Sequence, residues 1–221
     1  MSEPNVPPQM PAAVIFDLDG TLVDTVETRI QAWLAVFVEE GIPADRASVA
    51  ALIGSDGRRL AREVAAGSGM SLAPGRDEVI DERCGRIFAH LNREPAVLPG
   101  VAVLLTRLDA AAIPWAIATS SRREQVAASV DALHLARAPI IVDGTHVAHA
   151  KPAPDLLLLT ASRLGADPAS CWYVGDAAWD MLAAGAAGMP AIGVTSGAVD
   201  AAALRAAGAS WVVASLSEIV V

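Results

Sequence analysis

The chain has 221 residues, enough for one large core or for a core with a small insert. Hydrophobic residues make up 53% against 4% aromatic, so the buried interior is built mainly from Ala and Val. A net charge of −9 argues against nucleic acid or an anionic membrane as partner, and no apolar run approaches the roughly 18 residues of a membrane span.

Residues 1–11, M-S-E-P-N-V-P-P-Q-M-P, lack the basic start and apolar run of a signal peptide and read as a loose tail. Cys84 and Cys171 lie far apart and in no metal-ligand spacing, so a reducing, cytoplasmic setting is expected. From Val14 the chain reads V-I-F-D-L-D-G-T-L-V-D-T. A short apolar strand ends in two aspartates one residue apart, and alternation along a strand puts Asp17 and Asp19 on one face with Leu18 turned inward. Gly20 lets the backbone bend away behind them. Two carboxylates this close repel unless a cation or a shared proton lies between them, a cost that packing alone does not justify.

Residues 24–95 read as helical. Val26, Ile30, Trp33, Leu34 and Phe37 form one stripe, and Ile80, Cys84, Ile87 and Leu91 another. Asp24 followed by Glu27 fits a helix N-terminus. Gly41, Gly54, Gly67, Gly69 and Pro74-Gly75 divide the segment into a bundle of about four helices, ending before Leu98-Pro99-Gly100. Beyond it, short apolar runs at Ile113–Thr119, Pro139–Val142, Cys171–Gly175 and Pro190–Val194 alternate with helical stretches at Arg122–Leu133, Asp155–Leu164 and Met181–Ala187. Trp211–Val213 reads as an edge strand. Strands alternating with helices predict an α/β fold with a doubly wound parallel sheet, which binds ligands at the carboxyl ends of its strands. Asp17, Asp19, Thr119, Ser120 and Asp176 all fall at such ends. Lys151 is the only lysine among sixteen basic residues, so its position calls for a compact ammonium rather than a guanidinium fork.

The segment D-L-D-G-T, with I-A-T-S-S, then H-A-K-P-A-P-D, then Y-V-G-D-A-A-W-D, resembles the four ordered motifs of the haloacid dehalogenase superfamily. The resemblance covers nearly the whole chain. It implies a catalytic core over residues 12–23 and 96–221, with an inserted α-helical cap over residues 24–95. It further implies Mg²⁺-dependent hydrolysis of a small phosphate monoester, a reaction needing up to ~10²¹-fold acceleration. By resemblance, Asp17 attacks phosphorus to form an aspartyl-phosphate, and Asp19 protonates the leaving oxygen and then activates water. The Thr119 hydroxyl and Ser120 amide hold the phosphoryl oxygens, although T-S-S also reads as a helix start. The Lys151 ammonium bridges Asp17 and the phosphoryl group. Asp176 binds Mg²⁺ with the Asp17 side chain and the Asp19 carbonyl. Asp180 orients Lys151 and metal waters, or is an acidic residue favoured at a helix N-terminus.

Departures narrow the family resemblance. True dehalogenases lack the second aspartate, and phosphonatases need a cap lysine absent here. β-Phosphoglucomutases carry a histidine where this chain has Arg29, and an arginine where it reads Gly54-Ser55-Asp56-Gly57. The chain is most similar to phosphoglycolate phosphatases and sugar-phosphate relatives. Mutase-like phosphoryl transfer and a non-catalytic phosphate-binding protein are the alternatives. Arg29, Gly54, Arg58, Arg59 and Trp179 are candidate substrate contacts, with Arg58 and Arg59 equally readable as solvated helix-face residues. The expected partner is a small phosphorylated metabolite, bound by a monomer or weak dimer.

Overall fold

A computed structural model describes residues 9–221; the expected loose tail falls mostly on residues 1–8, which lie outside the described residues. Strand β1 (Ala13–Phe16) is flanked in one parallel sheet by β4 (Trp115–Ala118) and β6 (Cys171–Gly175). With β5 (Ile140–Val142), β7 (Ala191–Val194) and β8 (Trp211–Val213), the order is β5-β4-β1-β6-β7-β8. β1 is buried on both sides, as a central parallel strand must be. Val14 and Phe16 pack toward α5 (Val101–Ala110) and α6 (Arg123–Ala132), while Ala13 and Ile15 face α7 (Asp155–Leu164), α8 (Ala178–Ala187) and α9 (Ala201–Ala206).

The predicted doubly wound sheet is therefore the one observed. Because β1 lies between β4 and β6, its carboxyl end sits where the chain's winding reverses, the usual ligand crevice of such sheets. Asp17, Thr119 and Asp176 follow these three adjacent strands directly.

Four helices lie between residues 24 and 96: α1 (Val26–Glu40), α2 (Arg46–Ala50), α3 (Gly57–Gly67) and α4 (Arg76–Leu91). They enclose their own core around Ile30, Trp33, Phe37, Leu60, Ile80 and Phe88. The α4 stripe differs from expectation at its end: Phe88 is buried and Leu91 is 46% exposed, so the helix turns along 80-84-88. A two-residue ribbon, β2 (Val23–Asp24) with β3 (Ala96–Val97), joins the chain entering this bundle to the chain leaving it. The N-cap of α1 is Thr25, not the Asp24 region expected, and its hydroxyl caps nothing because it is donated to Asp19 instead. No helix among the described residues is long and apolar enough to cross a membrane.

Candidate active site

Asp17 continues the β1 ladder by donating its backbone N–H to the Val174 carbonyl at 2.9 Å, which fixes its side chain at the strand end. Its Oδ1 accepts a hydrogen bond from Lys151 Nζ at 2.5 Å, and its Oδ2 has no donor among the described residues. Lys151, wholly buried, also donates to Asp180 Oδ1 at 2.8 Å. Both oxygens of Asp180 are engaged: Tyr173 Oη donates to Oδ1 at 2.8 Å and the Ala177 N–H to Oδ2 at 2.9 Å. Its place in the first turn of α8 is thus the N-terminal acidic position and the anchor of Lys151 at once. Tyr173 carries no motif signature, and sequence reasoning missed it.

Asp176 follows β6. Its Oδ1 accepts from Thr21 Oγ1 at 2.7 Å, and its Oδ2 has no donor among the described residues. Backbone surrounds that oxygen, since a Cβ at Gly20 would lie 2.3 Å from it and one at Gly197 2.1 Å. Gly20 also adopts φ +86°, the left-handed region that glycine tolerates. Carboxylate oxygens of Asp17, Asp176 and Asp180 fall within 4.8 Å of one another. Asp17 and Asp176 each keep one oxygen without a donor among the described residues, whereas both oxygens of Asp180 accept hydrogen bonds.

Burial pushes the Asp17 carboxyl up from 3.8 to about 7, against the pull of Lys151 and with the push of Asp180. Burial also raises Asp176 well above its ordinary value, aided by the charges of Asp180 and Asp17. Two hard oxygens held close in surroundings that resist their charge form a donor set that suits Mg²⁺, which binds through one or two carboxylates with waters and phosphate.

Asp19 lines the same cavity as Asp17 but has different partners. Its Oδ2 accepts from Arg29 Nη2 at 2.8 Å and Ser121 Oγ at 2.7 Å, and its Oδ1 accepts from Thr25 Oγ1 at 2.8 Å. Burial alone would raise this carboxyl, but Arg29 and the two hydroxyls outweigh it and hold Asp19 below the usual carboxylate range.

Arg29, expected as a substrate contact, is instead committed to the protein. Besides Asp19 it donates to Ser121 Oγ and Gln125 Oε1, each at 2.8 Å, and its guanidinium carbon lies 3.3 Å above the Phe88 ring. Thr119 lines the cavity with its hydroxyl oxygen accepting the Ser121 N–H at 3.1 Å. The N-cap of α6 is Arg122, with no side-chain cap bond, so the T-S-S run does not cap this helix. Ser120 donates its hydroxyl to the Gly54 carbonyl at 3.2 Å, tying core to cap.

Among the remaining candidates, Gly54 lines the cavity, whereas Arg58 and Arg59 of the cap and Trp179 of the core do not. Arg58 pairs with Asp56 at 2.7 Å and donates to the Ala148 carbonyl at 3.1 Å. Arg59 pairs with Glu63 at 2.6 Å and lies 4.5 Å over the Trp179 ring, while Trp179 Nε1 donates to the Ala51 carbonyl at 3.2 Å. These three sit at the cap or the cap–core seam. Arg122 on the core reaches Glu78 and Asp81 of α4. With the cap seated this way the cavity measures about 50 Å³.

Residues 14–194 match the haloacid dehalogenase-like hydrolase family. Over 185 residues the chain is 34% identical to a phosphoglycolate phosphatase of Xanthomonas campestris pv. campestris, covering 83% of each. It is 34% identical over 186 residues to the fructose-1-phosphate phosphatase YqaB of Escherichia coli, covering 83% of this chain and 96% of that one. The crystal structure of a hydrolase from Pseudomonas syringae superposes with a TM-score of 0.89 at 34% identity, covering 93% of this chain and 94% of that one. With a buried Asp17–Lys151 pair beside Asp176 at the crevice of a doubly wound sheet, this chain belongs to the haloacid dehalogenase-like hydrolases and is a phosphatase of that family.

Proposed function

We propose that this phosphatase hydrolyses small phosphate monoesters, phosphoglycolate- or sugar-phosphate-like, with Mg²⁺ and through a phosphoaspartate on Asp17. The observation that carries the reading is Asp17 itself, at a strand end: one oxygen is fixed by Lys151, and the other has no donor among the described residues. Asp17 and Asp176, with the Asp19 carbonyl, would hold the ion, which when bound neutralises charge on the phosphoryl oxygens and between the carboxylates.

Thr119 and the Ser120 amide orient the phosphoryl group. The free oxygen of Asp17 attacks phosphorus, and the bond to the leaving oxygen breaks as Asp19 supplies its proton. Lys151, held by Asp180, offsets the growing negative charge. Asp19, left as a carboxylate, then takes a proton from water as that water attacks phosphorus and Asp17 is released. Its bonds to Arg29, Ser121 and Thr25 favour this base form. The proton taken from that water returns Asp19 to the acid form that begins the next turnover. A small phosphorylated metabolite as partner, a cytoplasmic setting and a monomer or weak dimer as the working form belong to the same proposal.

The test is hydrolysis of p-nitrophenyl phosphate with Mg²⁺ and with EDTA. Turnover that EDTA abolishes and Mg²⁺ restores is expected. No turnover of this ester or of a broad panel of phosphate esters would replace the reading with that of a phosphate-binding protein.

A further inference from the structure

Asp81, on α4, lines the cavity shared by Asp17 and Asp19, yet no part of the mechanism uses it. Its side chain is 16% exposed, and its Oδ2 accepts from Arg122 Nε at 3.1 Å. Its Oδ1 has no donor among the described residues. Because no buried side-chain polar atom among the described residues lacks a partner, this oxygen keeps some exposure, on a residue that lines the cavity. The lack of a side chain at Gly57 leaves the oxygen its room: a Cβ there would lie 1.9 Å from it.

The charges around the cavity point the same way. Arg29 is the only cation among the lining residues, and its guanidinium is occupied by Asp19, Ser121, Gln125 and the Phe88 ring. Arg122, Arg58 and Arg59 are each paired with carboxylates. A leaving group bearing its own carboxylate or second phosphate would meet Asp81 with no unpaired cation to receive it, and a confined like charge is strongly disfavoured. A hydroxyl, by contrast, satisfies Oδ1 with a charge-assisted hydrogen bond.

Resting on the phosphatase reading above, we propose that the site selects a neutral, hydroxyl-bearing leaving group, a polyol or sugar, through a hydrogen bond to Asp81 Oδ1, and rejects acidic leaving groups such as glycolate. Asp81 is thereby a specificity-determining residue supplied by the cap.

The experiment compares kcat/KM for glycerol 1-phosphate, sorbitol 6-phosphate and phosphoglycolate in wild type, Asp81→Asn and Gly57→Ala, with p-nitrophenyl phosphate as a general reporter. Wild type is expected to prefer the polyol esters by about tenfold or more, a difference of about 1.4 kcal/mol. Asp81→Asn is expected to shrink that ratio by a similar factor. Gly57→Ala, which crowds the same oxygen without removing it, is expected to shrink it in the same direction. Equal or better use of phosphoglycolate by wild type, or an unchanged ratio in both variants, overturns the inference while leaving the phosphatase reading intact. Failure of every ester, p-nitrophenyl phosphate included, overturns both.

Discussion

Arg29 Nη2 lies 2.8 Å from Asp19 Oδ2, so the first cap helix grips the second aspartate of the core loop directly. Both side chains are almost fully buried, at 10% and 13% exposure. Removing one member of such a pair strands the other, at a typical cost of about 3–5 kcal/mol. Arg29→Ala should therefore destabilise the protein by about 3 kcal/mol, and the Arg29→Ala, Asp19→Ala double variant by less than the sum of the singles. Urea unfolding midpoints measure this, and strict additivity would contradict the pairing. The sign with pH follows from the lowered Asp19 value: its stabilisation is present above the ordinary 3.8 and lost as pH falls through the lower folded value. The penalty for Arg29→Ala should accordingly be larger at pH 7 than in strong acid.

Asp17 gives the opposite sign. Its folded value is raised from 3.8 to about 7, so its contribution to stability is full below 3.8 and fades as pH rises through about 7. In EDTA the melting temperature should fall across that window. Mg²⁺ requires the ionised form, so its stabilising effect should grow between pH 5.5 and 8. Equal Mg²⁺-induced shifts at both ends of this range would count against Asp17 as a ligand.

Lys151 is closed in between Asp17 and Asp180 with no exposed surface. A guanidinium is larger and planar and cannot take the same two bonds in that space. Lys151→Arg and Lys151→Met should each lower kcat by about 10²-fold or more, the scale of losing one preorganised charge at a developing anion. An Arg variant of near wild-type rate would show that the position needs only positive charge.

Tyr173 acts one step further back, through the bond from its hydroxyl to Asp180. Tyr173→Phe should cost about 1 kcal/mol in stability, the net value of one hydrogen bond. It should also lower kcat several-fold with little change in KM, since it loosens the Lys151 anchor and touches no substrate. A change in KM alone would place Tyr173 in binding instead.

Most of the core was readable from its sequence because strands buried on both faces leave apolar runs with sharp polar ends. The bounds of β6 and α7 agree with the expected Cys171–Gly175 and Asp155–Leu164. Helix α8 begins at Ala178 rather than near Met181, because Asp180 ties back to the Ala177 N–H within the first turn. The β2–β3 ribbon escaped notice because two-residue strands carry no periodicity.

At the site, the short motifs located Asp17, Lys151, Asp176 and Asp180, which the structure brings together. What they could not show was side-chain commitment. Arg29 reads in sequence as a cap cation free for substrate, and only the fold places Asp19, Ser121, Gln125 and Phe88 around it. Asp81 lies in a helical stretch with no motif at all, and its role depends on Gly57, twenty-four positions earlier, passing close by.

The covalent step on Asp17 is the claim on which the rest turns. Wild-type protein turning over p-nitrophenyl phosphate with Mg²⁺, quenched in acid within the first turnovers and digested, should yield the peptide spanning Val14 to Thr25 heavier by one phosphoryl group. Asp17→Asn should show neither the modified peptide nor turnover. A variant retaining about a tenth of the wild-type rate, a barrier change of only about 1.4 kcal/mol, or a phosphoryl group found on any other residue, would contradict the account.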